Sequence, residues 1–222
     1  VTNNIAHDLR SPVTRMRGLA ETSLTGEQTL DDFRGLAGAV VEECDSLVRM
    51  INTMLEIAET EAGVKPHVLH SVDVAEIVRD VTELYSLIAE DKKITVSLKI
   101  SDQPLIVTGN RSLLQRACAN LLDNALKFTP VGGRVHLETH QDGNRVVIVV
   151  SDNGSGISAA DLPHVGERFY RADRSRSTPG TGLGLSLVKS IIHAHSGELQ
   201  IVSDESTGTQ VFIRLAAGGK SE

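Results

Sequence analysis

The sequence predicts an α+β protein of two parts, an N-terminal helical hairpin followed by an α/β sandwich with a mixed sheet. Three observations predict it. Apolar residues recur in heptad steps between positions 33 and 58; Gly63 and Pro66 then break the helical pattern; beyond them, β-rich apolar runs alternate with amphipathic ones. The expected domains are residues 1–63 and 64–222.

The heptad signal runs through Phe33, Ala37, Val40, Cys44, Leu47, Ile51, Met54 and Ala58, in steps of 4, 3, 4, 3, 4, 3 and 4, the spacing of a coiled-coil seam. An earlier stretch, Ile5, Leu9, Pro12, Met16 and Leu19, repeats the spacing, and a polar segment with Gly26 joins the two. Such a hairpin carries an apolar stripe wider than one contact covers. Two hairpins are therefore expected to pair about a two-fold axis as a dimeric four-helix bundle. In the second part, Asp73 reads as the N-cap of a single helix over 74–88. Strands are expected at 94–100 and 105–108, a helix at 112–128, a hairpin of strands 134–140 and 145–151, a helix at 183–194 and two closing strands. The stretch 153–181 is too long for an ordinary connection and reads as a lid or binding loop.

Composition narrows the function. With 40% hydrophobic and 23% charged residues over 222 positions, the chain builds a core without disulfides. Its 3% aromatic content without Trp argues against a lectin or a single-strand stacking platform. A net charge of −7 gives no general attraction to nucleic acid, so any phosphate site must be local. No apolar run approaches the ~20 residues of a membrane span, so no membrane contact by this segment is expected. Cys44 and Cys118 occupy apolar helical positions and read as buried small hydrophobes in a reducing, cytoplasmic setting, not as a disulfide or metal pair.

Four clusters could carry chemistry. His7 lies two residues off the first seam, beside Asp8 and followed by Arg10 and Ser11; an exposed imidazole next to an acid suits a nucleophile, and equally inert surface. Asn120, Asn124 and Lys127 share one helical face while Leu121, Leu122, Ala125 and Phe128 turn to the core. Two carboxamides and an ammonium can meet Mg²⁺ and substrate phosphates, or form a solvated face. Asp152-Asn153-Gly154-Ser155-Gly156-Ile157 follows an apolar strand, where a carboxylate can accept from an exocyclic amine and glycines admit a flat ligand. Gly180-Thr181-Gly182-Leu183-Gly184 opens a helix, whose free N–H groups and dipole favour an anion. It is neither a Walker A loop nor a dinucleotide fingerprint, since no Gly-Lys-Ser/Thr follows and Leu185 stands at the third-glycine position.

In order, His7-Asp8-x-Arg10-Ser11-Pro12, Asn120-x-x-x-Asn124-Ala125-x-Lys127-Phe128, Asp152-x-Gly154-x-Gly156-Ile157, Arg168-Phe169-Tyr170-Arg171 and Gly180-Thr181-Gly182-Leu183-Gly184-Leu185 resemble the H, N, G1, F and G2 boxes of the sensor histidine kinases of two-component signalling. Residues 54–63 resemble that family's second dimerisation helix, so the likeness covers nearly the whole chain. It implies a dimerisation and phosphotransfer hairpin followed by a Bergerat (GHKL-type) domain binding ATP and Mg²⁺. By this resemblance His7 is the phosphoacceptor and Asp8 orients it, with Arg10 and Ser11 completing the catalytic set. Asn120 and Asn124 hold the metal, with Lys127 and Phe128 beside them at the nucleotide. Asp152 reads the adenine amine, with Gly154, Gly156 and Ile157 at the base. Phe169 and Arg171 belong to the lid, and Gly180, Thr181, Gly182, Leu183 and Gly184 close on the phosphates. The same resemblance implies a response-regulator receiver domain as partner. Ser11 stands where many relatives have Thr, which bears on any phosphatase activity.

Asn120 stands where related GHKL ATPases such as gyrase carry a Glu, and an amide cannot activate water; transfer to a side chain is expected over hydrolysis. The competing readings are a GHKL ATPase and a catalytically silent dimeric docking scaffold. Because the chain opens at Val1 inside a helical pattern without Met, a sensor and any inner-membrane anchor are expected upstream. Other conspicuous residues have plainer readings. His136 and His140 lie on one strand face but ~13 Å apart, too far to share a metal. His193 and His195 cap a helix end or lie at the surface, while Arg168, Arg171, Arg174 and Arg176 make a basic lid. Arg10, Arg15 and Arg17 meet either a phosphoryl group or an acidic partner surface.

Overall fold

The computed structural model describes residues 2–24, 29–62, 69–172 and 180–218, with the backbone alone at 2–9. Gly63 and Pro66, the expected boundary, lie outside these residues. The chain divides into two compact units, Val1–Glu56 and Ile57–Glu222.

The first unit is the helical hairpin, α1 (Thr2–Ser23) and α2 (Leu30–Ala62), whose last turns belong to the second unit. A reciprocal cap starts α2: Thr29 N–H donates to the Asp32 carboxylate at 2.9 Å and Asp32 N–H to Thr29 Oγ1 at 3.2 Å. The helices meet where Arg15 Nε and Nη2 donate to the two Glu43 carboxylate oxygens, at 2.8 and 2.9 Å, and where Cys44 Sγ lies 3.3 Å from Met16 Sδ. Arg15 and Arg17, the latter bound to Glu21, are thus engaged inside the hairpin. On α1 the expected seam holds at Pro12, which is buried, and at Met16 and Leu19, which are half-buried; the side chains of Ile5 and Leu9 lie outside the described residues.

On α2 the single expected stripe is split. The covered positions include Leu36, Val40, Glu43, Leu47, Met50 and Met54, again in heptad steps, whereas Phe33, Ala37, Cys44, Ile51 and Ala58 of the expected stripe lie exposed, as do Val41, Val48 and Leu55. Two parallel heptad rows offset around the helix give nearly the same spacing, so periodicity alone merges them. Cys44 therefore corrects the expectation of burial. Cys118 meets it, and burial pushes its thiol up to about 12.

The second unit contains β1 (His70–Asp73), α3 (Val74–Leu84), α4 (Ser86–Asp91), β2 (Thr95–Ile100), β3 (Ile106–Gly109), α5 (Arg111–Phe128), β4 (Arg134–Asp142), β5 (Arg145–Asp152), α6 (Gly184–Ala194), β6 (Glu198–Asp204) and β7 (Gly208–Ala216). Five strands form one sheet in the order β2-β4-β5-β7-β6, with β2 parallel to β4 and the other pairs antiparallel. The helices cover one face. Leu114, Leu121 and Leu122 of α5, Leu187 and Ile191 of α6, and Leu137, Ile148 and Ile213 of the sheet are all buried in the core. Central β5 is buried on both faces from Val146 to Val150, which accounts for its unbroken apolar run.

Two elements differ from expectation. The helix over 74–88 is two helices, parted at half-buried Tyr85 with φ −95 and ψ 2; Ala89 beyond it is buried, while Leu84 and Ile88 are exposed. Asp73 is indeed the cap, its carboxylate accepting from Ala75 N at 2.9 Å. The short strand β1 was not expected; it exists through antiparallel pairing with β3.

Candidate active site

The site is built on α5. Asn120, Asn124 and Lys127 share its outer stripe because their neighbours Leu121, Leu122, Ala125 and Leu126 are buried. The Asn120 amide nitrogen donates to the Arg116 carbonyl at 2.9 Å. A Cβ placed on Gly184, the first residue of α6, would stand 3.2 Å from Asn120 Oδ1 and 3.6 Å from Asn124 Nδ2. The α5 stripe thus faces the glycine-rich entry of α6, which Leu183 anchors by complete burial and which has no side-chain cap. Lys127 is half-buried, its Nζ 5.1 Å from the Phe128 ring centroid and against Gly180. Burial, then Arg171 and Lys92, lower its proton affinity, partly offset by Asp123.

A second wall forms at the end of β5. Asp152 is half-buried and accepts from Gly154 N at 2.8 Å and from the Thr209 backbone N–H. Burial nevertheless raises its pKa above the usual carboxylate value. A side chain at Gly154 would collide with the Phe128 carbonyl, which accepts from Ser155 N at 3.2 Å. Gly156 has φ +62 and lies against the Asp204 carbonyl, a conformation and a space that a Cβ would spoil. Ile157 N donates to Ser203 Oγ at 2.8 Å, and Ser203 bonds Thr209 Oγ1 at 2.8 Å. Ser203 and Thr209 escaped the sequence reading. Thr209 comes opposite Asp152 only through the β5–β7 register, which no local pattern encodes.

Phe169 and Arg171, expected to belong to a lid, bracket the glycine loop. Phe169, at φ +65, donates its N–H to the Gly182 carbonyl at 2.9 Å, and Gly182 itself takes φ +70 against the Phe169 backbone. Arg171 donates to the Gly180 carbonyl at 2.8 Å, and half-buried Thr181 lies between these bonds. The Tyr170 hydroxyl donates to Asp161 at 2.6 Å, and Arg168 donates to Glu61. Arg174 and Arg176 lie outside the described residues.

His7 and Asp8 lie on the α1 backbone, their side chains outside the described residues; Arg10 is exposed and Ser11 half-buried. His195 is the C-cap residue of α6, as its position suggested, and does more: its Nδ1 donates to the Ile191 carbonyl at 2.8 Å and its Nε2 accepts from Asn110 N at 3.0 Å. His136 and His140 flank Glu138 on β4, and among the described residues no three His, Cys, Asp or Glu side chains group as metal ligands. The Asn120 donor set does fit Mg²⁺. Its amide nitrogen is bound within the helix, leaving a hard carboxamide oxygen toward the glycine loop, and Mg²⁺ completes its shell with water and phosphate oxygens.

Residues 109–218 match the family model "Histidine kinase-, DNA gyrase B-, and HSP90-like ATPase", and residues 1–63 match "His Kinase A (phospho-acceptor) domain". The chain is 34% identical over 216 residues to the probable sensor protein PcoS of Escherichia coli, covering 96% of this chain and 45% of PcoS. It is 33% identical to the solved mycobacterial sensor histidine kinase MprB, with a TM-score of 0.59, covering 68% of this chain and 98% of that one. The histidine kinase ThkA, solved in complex with the response regulator protein TrrA, shares the fold at a TM-score of 0.80 and 17% identity, over 100% of this chain and 62% of that one. The chain spans about half the length of the curated relatives it matches.

Proposed function

Because the chain belongs to the sensor histidine kinase family, we propose that it moves the γ-phosphoryl group of ATP to the imidazole of His7 and from there to an aspartate of a response-regulator receiver domain. The observation that carries this reading is the convergence of the Asn120–Asn124–Lys127 stripe on the entry of α6, with an amide where a hydrolytic base would have to stand. Asp152 accepts the adenine amine. Gly154, Gly156 and Ile157 shape the floor under the base, and Phe128 closes it from α5. Asn120 and Asn124 hold Mg²⁺, which when bound screens the triphosphate charge; Lys127 adds a point charge, and the 180–184 segment offers backbone N–H groups. Phe169 and Arg171 hold that segment from the lid side.

Catalysis here is positioning. The imidazole meets the γ-phosphorus in line, the bond to the bridging oxygen breaks, ADP leaves and an N–P bond forms. Asp8 keeps the other ring nitrogen protonated and stabilises the imidazolium, a contribution worth ~10²–10⁴ in rate for such partners. Arg10 and Ser11 line the acceptor, and Ser11 retains the hydroxyl through which phosphatase action on the regulator would run. The working domains are 1–63 for dimerisation and transfer and 64–222 for nucleotide binding. The exposed row Val41, Val48 and Leu55 supports homodimerisation through the hairpin. The ThkA–TrrA complex supports the regulator as partner. Among the described residues no helix is long and apolar enough to cross a membrane. A cytoplasmic place for this segment, with an inner-membrane anchor elsewhere in the full-length protein, belongs to the same proposal.

Incubation with γ-³²P-ATP and Mg²⁺ tests the reading. The expected product carries one phosphoryl group that is acid-labile and alkali-stable. Steady release of free phosphate with no protein-bound label would establish the ATPase instead, and no ATP binding at all would revive the silent scaffold.

A further inference from the structure

We propose that Lys92 is a positioning residue for the phosphate end of the nucleotide site, acting through the C-terminus of α5 on Lys127; this rests on the nucleotide role given to Lys127 above. Lys92 ends α4, and its turn is held from both sides. Its N–H reaches back to the Ile88 and Glu90 carbonyls, Lys93 follows at φ +54, and Ile94 N donates to the Ala89 carbonyl at 2.9 Å. Across the gap, Gly132 N donates to the Lys93 carbonyl and Thr95 N to the Gly133 carbonyl, each at 3.0 Å. The turn is thus stitched to the segment directly after α5.

From this anchored turn the Lys92 ammonium crosses to α5 and donates to the Leu126 carbonyl at 3.2 Å, one residue before Lys127. The last carbonyls of a helix lack partners within it. Ala125 O is already served by Thr129 N at 3.1 Å and Thr129 Oγ1 at 2.6 Å, and Lys92 serves its neighbour. A cation there also sits at the negative end of the helix dipole. It adds to the positive field that Arg171 brings to Lys127, against which Asp123 is the opposing acid. Lys127, with two further cations acting on it and one opposing carboxylate, suits a ligand with several negative charges, the triphosphate, and not the uncharged nucleoside.

The test uses the whole chain with Lys92→Met, which keeps the apolar stem, and Lys92→Arg, which keeps the charge. Affinities for MgATP and for adenosine are measured by calorimetry, and initial rates of phosphohistidine formation give KM and kcat. Lys92→Met is expected to weaken MgATP about tenfold and raise KM in proportion, with adenosine affinity and kcat unchanged and with recovery in Lys92→Arg. Equal losses for MgATP and adenosine, no loss, or no recovery with arginine overturns the proposal. Lys127→Gln separates the two layers of inference. If it binds MgATP like the parent chain, the nucleotide role of Lys127 fails; if it loses MgATP while Lys92→Met does not, only the role of Lys92 fails.

Discussion

The hairpin and the nucleotide-binding unit bury apolar surface to different extents. In the second unit Leu122, Leu137, Ile148 and Ile191 are fully enclosed by one chain, whereas along α2 Val41, Val48 and Leu55 remain 58%, 54% and 58% exposed. The contrast separates a unit closed on itself from a helix with an uncovered apolar row, on which the proposed homodimerisation rests. A similar contrast recurs within the nucleotide site. At the Asp152 end, backbone lies against backbone: Gly154 on the Phe128 carbonyl, Gly156 on that of Asp204, Gly208 on that of Asp152. At the phosphate end, Gly180 and Gly184 face the movable tips of Lys127 and Asn120. On the proposed assignment, the base end is preformed and the phosphate end can adapt.

The largest expected effect divides the two units by duty. His7→Ala should reduce protein-bound label to background while calorimetric ATP affinity stays unchanged, and persisting label would return the acceptor to another residue. Next, Gly156→Ala should cost ~3 kcal/mol, from ~1–2 for the left-handed backbone plus the overlap with the Asp204 carbonyl, and lower the melting temperature by roughly 10 °C. Gly180→Ala meets only the end of Lys127 and should cost under ~1 kcal/mol. Comparable melting of the two variants would erase the distinction between the ends of the site.

Val48→Asp probes the open face of the hairpin. Burying a carboxylate there should weaken self-association by ~2–3 kcal/mol, seen as monomer in sedimentation, with ATP affinity intact. Asp152→Asn should weaken ATP ~10- to 100-fold by setting a donor against the base amine, with the hairpin dimer unaffected. The smallest effect is on pH dependence. Burial raises the Asp152 pKa and lowers that of Lys127. ATP affinity should therefore fall on acidification above the usual aspartate range and on alkalinisation below the usual lysine range, and Asp152→Asn should remove the acid limb. For folding, the Asp152 sign is opposite: a raised native pKa contributes stability present at low pH and lost as pH rises through it.

Much of this was open to reading along the chain. The helices of the second unit, the Asp73 cap and the four residue clusters rest on periodicity, short-range capping and glycine placement, each set by residues within a turn or two. By themselves those signals determined the two-part architecture and marked the four clusters, while the roles of acceptor, metal ligands and base reader came from the order of the motifs and the family they resemble. Other features depend on segments far apart in sequence. Strand β1 has one buried residue and no pattern of its own without β3. Thr209 stands opposite Asp152 only through sheet register, Lys92 reaches Leu126 only because α4 and the turn after α5 are stitched together, and the split of the α2 stripe depends on which heptad row α1 covers. Tertiary structure decided these, because contact between distant segments is a property of the packed chain and leaves no mark within a local window of residues.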